Sequence, residues 1–396
     1  MARSFLFRAG LPPFLAAVLL LVAVPASAED ASVTLAASPT AVEPGQSTQL
    51  SGTIAPASSG QTVSIVEQAS GEQVHQATTD GQGAYSATFT PDRSVTIVAK
   101  WNGATSEPVR IDIRADAQVA LDRVLLFGDA SARGQVSPAP ESGAIDIAIL
   151  RGGVLVETVT APVTAGGTFV ASFPVELPGT YVAEVRTSEQ GAPSARSGGR
   201  RTPLPRLQQG ARGEVVKLAE QRLRDLGYRI AGVNAVFDER TGDAVLAFHK
   251  VHGMERTSVV TRATWQRLAR PIDPKVQSRA PGIHVEIDQT KQVLYLVRSG
   301  EIQAIVHTST GANGATRDGI FVVHSKTAGY SPNRLYYPSY FDGTRAVHGW
   351  PEVPTYPASH GCSRVPNWTA VWLFDRMRIG TEVRVYHSGN PGGPGE

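Results

Sequence analysis

Two short segments hold residue types that could work together chemically: His348-Gly349-Trp350 and Ser359-His360-Gly361-Cys362-Ser363-Arg364. A cysteine becomes a nucleophile when a nearby base takes its proton, when donors face the oxyanion its attack creates, and when substrate can reach it. His348 supplies the base, and Cys362 is the single cysteine of the chain. Gly361 precedes the thiol, so the backbone N–H groups of Gly361 and Cys362 can approach a tetrahedral oxygen with no side chain between. Arg364 can bind a substrate carboxylate. Singly, each residue has a plainer explanation: a turn histidine, a hydrogen-bonded His360, a surface Arg364, a small buried hydrophobe at Cys362. Their grouping favours thiol acyl transfer, a chemistry that requires no metal and no cofactor.

The N-terminus adds a compartment. Arg3 and Arg8 precede an apolar run from Phe14 to Val24, and Ala26-Ser27-Ala28 is a small-x-small site, the pattern of a secretory signal peptide cut after Ala28. The run is shorter than the ~20 residues a spanning helix needs. The expected location is extracytoplasmic, secreted or wall-associated. A lone cysteine there can form no intramolecular disulfide and is open to oxidation, so its presence calls for a use.

Length and composition set the frame for these residues. The 396 residues, 41% hydrophobic and 18% charged, suffice for several cores and exclude a wholly disordered chain. Thirty-nine Gly and 27 Pro without a G-X-Y period exclude collagen and indicate many turns. Residues 29–200 hold 10 Lys+Arg against 18 Asp+Glu, and residues 201–396 hold 25 against 17. An acidic front half thus joins a basic back half, which suits an anionic polymer or surface; no nucleic-acid motif is present.

Residues 29–115 alternate apolar and polar positions between Pro, Gly, Ser and Asp turns, as in Val63-Ser64-Ile65-Val66 and Val95-Thr96-Ile97-Val98. Residues 116–191 repeat the plan. Gly52-Thr53-Ile54 is echoed by Gly134-Gln135-Val136, and Gly83-Ala84-Tyr85 by Gly167-Thr168-Phe169. Both resemble immunoglobulin-like sandwiches used as spacers, with Trp101 a core anchor. Residues 192–206, rich in Gly, Ser, Pro and Arg, are expected to be a linker whose Arg196, Arg200 and Arg201 are solvated.

Helical spacing begins at 207–270: Val215, Leu218, Ala219, Arg222, Leu223 and Leu226 form one stripe, Ala244, Val245, Phe248 and Val251 a second, and Trp265 with Leu268 a third short helix. His249 and His252 lack ligand partners at metal spacing. Gly213-Glu214-Val215-Val216-Lys217-Leu218, Leu226-Gly227-Tyr228, Phe237, Thr241, Phe248 and Gly253 together resemble the three-helix peptidoglycan-binding domain, with Asn234-Ala235-Val236 departing from its usual Asp-Gly.

Residues 271–281 are a second expected linker, 282–388 a mainly β domain, and 389–396 a flexible tail. Ile283, Val285 and Ile287 alternate, Val293 to Val297 are continuously apolar, and a helix near Thr369–Met377 is expected with Asn367 as its cap. In this domain His348-Gly349 followed by Ser359-His360-Gly361-Cys362-x-Arg364 closely resembles the active site of the L,D-transpeptidase (YkuD-type) family. Two local departures are Arg317-Asp318 in place of Thr-Pro and a short His-to-Cys interval.

The resemblance implies a mainly β catalytic domain, so the whole chain is multidomain: two all-β immunoglobulin-like sandwiches, a three-helix bundle and this domain. It implies that Cys362 attacks a peptidoglycan tetrapeptide stem, expels D-Ala, and passes the acyl group to an amine of a second stem in a 3→3 cross-link. It assigns Cys362 as nucleophile, His348 as base, the Gly349 carbonyl as orienter, Gly361 and Cys362 amides as oxyanion donors, and Ser359, His360 and Arg364 as supports. The pairing is expected to lower the thiol pKa. Tyr336, Tyr337, Tyr340, Trp350 and Tyr356 are candidate groove walls. Implied partners are stem peptides, glycan and carbapenem β-lactams as inhibitors, with no nucleic acid and no cofactor. Water as acceptor gives the alternative of an L,D-carboxypeptidase; the other alternative is a non-catalytic wall-binding protein.

Overall fold

The computed structural model describes residues 30–140, 142–186 and 195–389. The segment expected to be a signal peptide, and residues 390–396 of the expected tail, lie outside the described residues. Contacts divide the chain at Arg114/Ala115 into two units. The whole is mostly β with four α-helices among the described residues, none long and apolar enough to cross a membrane.

In the first unit, Thr48–Ala55 pairs with Ser32–Val33, Ala36–Ser38 and Ala84–Phe89, and a second sheet is built on Val95–Trp101 and Thr62–Glu67. Leu50, Ile54 and Tyr85 of one sheet meet Val63, Ile65, Ile97 and Ile111 of the other, with Trp101 at the margin of that core. The repeated residues explain each other. Gly52 is the ladder partner of Tyr85 and Gly134 of Phe169. A Cβ on either glycine would collide with the aromatic ring opposite, so each glycine is the seat of its partner's ring.

The second unit begins with three strands, Asp116–Leu121, Asp129–Ser137 and Thr168–Pro174, facing a sheet built on Ala144–Arg151 and Thr180–Arg186. The segment expected as a linker differs from expectation. Ala195–Arg196 and Arg200–Arg201 both pair with Thr180–Arg186, Ser197 is buried, and Arg196 lies 3.4 Å from the buried Glu184. Two-residue strands held by backbone bonds need no apolar period, which is why composition alone suggested a free linker.

Helices α1 (Glu214–Asp225), α2 (Glu239–Val251) and α3 (Arg262–Ala269) follow, α2 capped by the Asp238 side chain accepting from Thr241 N and α3 by a Thr261–Thr264 capping box. The buried stripe of α1 is Val216, Ala219, Glu220 and Leu223, one position from the expected start at Val215. Glu220 belongs there because its carboxylate accepts from Asn234 N, Ala235 N and Thr241 Oγ1. That carboxylate shapes the loop in which Asp-Gly is missing. His249 and His252 have both ring nitrogens committed to hydrogen bonds, His249 to Thr257 O and Thr264 Oγ1, His252 to Phe248 O and Ile272 N.

The remaining strands are β1 (Ile283–Asp288), β2 (Val293–Arg298), β3 (Glu301–His307), β4 (Gly319–Val322), β5 (Ser325–Lys326), β6 (Tyr336–Asp342), β7 (Arg345–Trp350), β8 (Ser363–Pro366) and β9 (Glu382–Tyr386). They form one sheet in the order β3-β2-β1-β9-β4 and another in the order β5-β6-β7-β8. Helix α4 (Asn367–Arg376) packs Ala370 and Leu373 into the core between them. Asn367 is not the cap: it is the first helical residue, Pro366 precedes it, and its Oδ1 is buried without a hydrogen-bond partner.

Both faces of β2 are buried, which is why its sequence is continuously apolar. Leu294 and Leu296 face the core between the two sheets, while Val293, Tyr295 and Val297 join Leu223, Phe248 and Trp265 in the helical core. Gly227 and Arg229 exchange backbone hydrogen bonds with Ile305 of β3, so the helical segment also extends this sheet at its edge. Leu126 of the preceding sandwich enters the same core, and the Phe127 ring lies 6.2 Å from that of Trp265. Residues 271–281 are likewise tied down: Gln277 N and Ser278 N donate to the buried Glu286 carboxylate.

Candidate active site

Strands β7 and β8 run parallel, with Val347 opposite Ser363 and His348 opposite Arg364. Side chains two apart on a strand share a face. Cys362, one residue before β8, therefore shares a face with Arg364 and is the diagonal neighbour of His348. The thiol is only partly buried, while His348 is 2% exposed.

His348 Nδ1 lies 2.8 Å from the Gly349 carbonyl. A carbonyl only accepts, so the proton is on Nδ1 and Nε2 is the basic nitrogen. The ring meets Trp350 edge-on at 5.8 Å, and the Arg364 guanidinium lies 4.3 Å over the same indole. One indole thus sets both polar groups. Gly349 has no room for a Cβ, which would come within 2.5 Å of Asn367 Oδ1 and 2.9 Å of Ala370 Cβ of α4.

The loop carrying the thiol is shaped by Ser359. Its Oγ accepts from Gly361 N at 3.0 Å and donates to Cys362 O at 2.6 Å. The Gly361 amide is consequently occupied in the resting structure and does not stand ready as an oxyanion donor, a correction to the sequence expectation. Gly361 has φ +129°, a conformation that suits glycine alone. Thr316 Oγ1 donates to Gly361 O, and Arg345 Nε donates to Ala315 O beside it. His360 is exposed and makes no side-chain hydrogen bond among the described residues.

The expected lowering of the thiol pKa is not found. Burial pushes Cys362 up, opposed by the Ala346 backbone, Arg364 and Arg345, and the thiol lies 3.9 Å from Thr344 O. Burial also pushes His348 down, against its bond to Gly349 O. Burial thus works against both ions, the Cys362 thiolate and the His348 imidazolium.

Arg345, Asp342 and Arg317 are contributors that sequence reading missed. Asp342 accepts from both arginines and its carboxyl is held low by the Arg317 hydrogen bond, while Arg345 reaches on to the Cys362 loop. Of the three, the sequence drew notice only to Arg317, as part of Arg317-Asp318 in place of Thr-Pro. Among the candidate groove walls, Tyr336 and Tyr337 pack on the core with rings 4.8 Å apart, and Tyr340 stacks on His324. Tyr356, 62% exposed, lines a cleft of about 420 Å³ between α2 and residues 351–356.

Residues 282–385 match the family described as "L,D-transpeptidase catalytic domain", and residues 212–268 the one described as "Putative peptidoglycan binding domain". No curated protein matches the chain. Among solved structures, an L,D-transpeptidase of Xylanimonas cellulosilytica is 36% identical over 47% of this chain and 100% of that one, with a TM-score of 0.44. An L,D-transpeptidase of Stackebrandtia nassauensis is 23% identical over 46% and 97%, with a TM-score of 0.30. One from Enterococcus faecium is 22% identical over 26% and 50%, with a TM-score of 0.24. The two family matches and the 36% identity, rather than the superpositions, make this chain a member of the L,D-transpeptidase family, with a peptidoglycan-binding domain ahead of its catalytic domain.

Proposed function

We propose that the protein is an exported, cysteine-dependent L,D-transpeptidase that forms 3→3 cross-links in peptidoglycan. The observation that supports it most is the joint placement of Cys362 and His348 on one face of the β7–β8 ladder, with His348 Nδ1 fixed by Gly349 O. His348 Nε2 takes the thiol proton as sulfur attacks the carbonyl of the third stem residue. The tetrahedral oxyanion accepts from the backbone N–H of Cys362. Collapse breaks the bond to D-Ala, whose leaving nitrogen takes the proton from His348, and a thioester on Cys362 remains. An amine of a second stem then attacks that thioester, loses its proton to His348, and the new peptide bond frees the thiol. Arg364, whose Nε is buried without a partner, is placed to meet a substrate carboxylate or carbonyl.

Under this proposal residues 1–28 direct export, the sandwiches at 29–115 and 116–191 are immunoglobulin-like spacers, and the helical module at 207–270 holds the wall. The catalytic domain covers 282–388, and carbapenems acylate Cys362. Incubating the protein with disaccharide-tetrapeptide and separating the products tests the reading. A 3→3 dimer with released D-Ala is the expected result. A tripeptide alone makes it an L,D-carboxypeptidase, and no change with intact protein overturns both.

A further inference from the structure

We propose that Lys250 and Arg256, both carried by the peptidoglycan-binding module, are positioning residues of the transpeptidase site, so that this module is a working part of the catalytic unit as well as a wall anchor. The inference rests on the acyl-transfer role of Cys362 given above.

Lys250 is 3% exposed near the end of α2 and gives all its hydrogen bonds to the catalytic domain: Gln292 O at 3.0 Å, Thr308 O at 2.9 Å and His307 Nδ1 at 2.7 Å. His307 Nε2 lies 3.1 Å from Val353 O, which can only accept, so that nitrogen carries the proton and Nδ1 must receive one from Lys250. Three acceptors require three N–H groups, hence an ammonium. Burial and the nearby Arg256 charge push the group down to about 6, opposed by Asp243; the ammonium is read from the three acceptors.

Each partner leads to the segment between base and nucleophile or to the two residues that follow the thiol. Thr308 Oγ1 lies 2.6 Å from Ser363 Oγ and donates to Arg364 O. Gln292 Oε1 accepts from Thr310 N, and Thr310 O accepts from Ala358 N and Ser359 N. His307 holds Val353. Arg256 completes the set, donating through Nη1 to Thr355 O and through Nη2 to Thr290 O, both at 2.9 Å. Two cations from the helical module thereby fix residue 355 directly, residues 353, 363 and 364 through one intermediary, and residues 358 and 359 through Gln292 and Thr310. A module that served only as a wall anchor would have no need to spend a buried ammonium on the thiol loop.

The test uses the full-length protein and a soluble disaccharide-tetrapeptide, so that wall binding plays no part. Arg256→Ala should lower kcat for D-Ala release by about ten- to a hundredfold, with KM, melting temperature and sacculus binding retained. Arg256→Lys should recover part of the rate, and Arg262→Ala, at an exposed position on α3, should match wild type. Lys250→Met should act in the same direction and more strongly; if it fails to fold, Arg256→Ala decides. Iodoacetamide alkylation of Cys362 is followed in parallel. A folded Arg256→Ala protein with wild-type kcat and wild-type alkylation overturns the inference. If wild type releases no D-Ala, the transpeptidase reading falls, and a changed alkylation rate in the variant still reports positioning of the thiol.

Discussion

Replacing His348 by Ala is expected to lower D-Ala release at pH 7 by about a hundred- to ten-thousandfold, the range of a lost general base. The size follows from the site's electrostatics. Because burial raises the Cys362 pKa above its ordinary value, almost none of the thiol ionises unaided at neutral pH, and the imidazole must take its proton during attack. The pH profile carries the same information. His348 accepts a proton only when neutral, and burial lowers its pKa below 6.5, so wild-type kcat/KM should be complete at neutral pH and fall as pH drops through a midpoint below 6.5. In the His348→Ala enzyme that acid limb should vanish and activity should climb with pH as the thiol ionises above its ordinary value. An acid limb centred above pH 7, or a variant as fast as wild type, would contradict this arrangement.

Gly361→Ala should be nearly as damaging for a different reason. At φ +129° an alanine is strained by about 1–3 kcal/mol, and its Cβ would sit 2.6 Å from Arg345 Nε and 2.9 Å from Ala315 O. The Arg345–Ala315 hydrogen bond must then open, and with it one of the two arginines that oppose the rise in thiol pKa. The expected outcome is a lower melting temperature together with about a hundredfold slower acylation of Cys362. Thermal melts and carbapenem acylation rates measured on the same preparations check both. An unchanged acylation rate would show that the loop tolerates a side chain and that its backbone conformation does not set the thiol.

What sequence reveals and what it hides differ by physical cause. The joint placement of Cys362 and His348 was legible because two rare residue types sit in a short spacing. The repeat was legible because Gly52 with Tyr85 and Gly134 with Phe169 are ladder pairs that recur. The unbroken apolarity of Val293 to Val297 marked a strand, and its burial on both faces emerged only with the helical module packed on β2. Backbone-only structure leaves no such trace, and the composition of residues 195–201 shows a linker where the chain forms two short strands. The capping role expected of Asn367 failed because the chain enters α4 directly from β8 through Pro366. Thiol activation was misjudged because the sequence displays the charges near Cys362 and not the burial that outweighs them. Lys250 and Arg256 were invisible as site residues, since their partners are mostly backbone carbonyls more than 30 positions away.

The most direct test of the central claim is intact-protein mass spectrometry of wild type and Cys362→Ala, each incubated with disaccharide-tetrapeptide and, separately, with a carbapenem. The account predicts a carbapenem adduct on wild type alone, mapped to the peptide containing Cys362, and D-Ala release by wild type alone. Equal acylation of both proteins, or acylation of neither when both are folded, would contradict it.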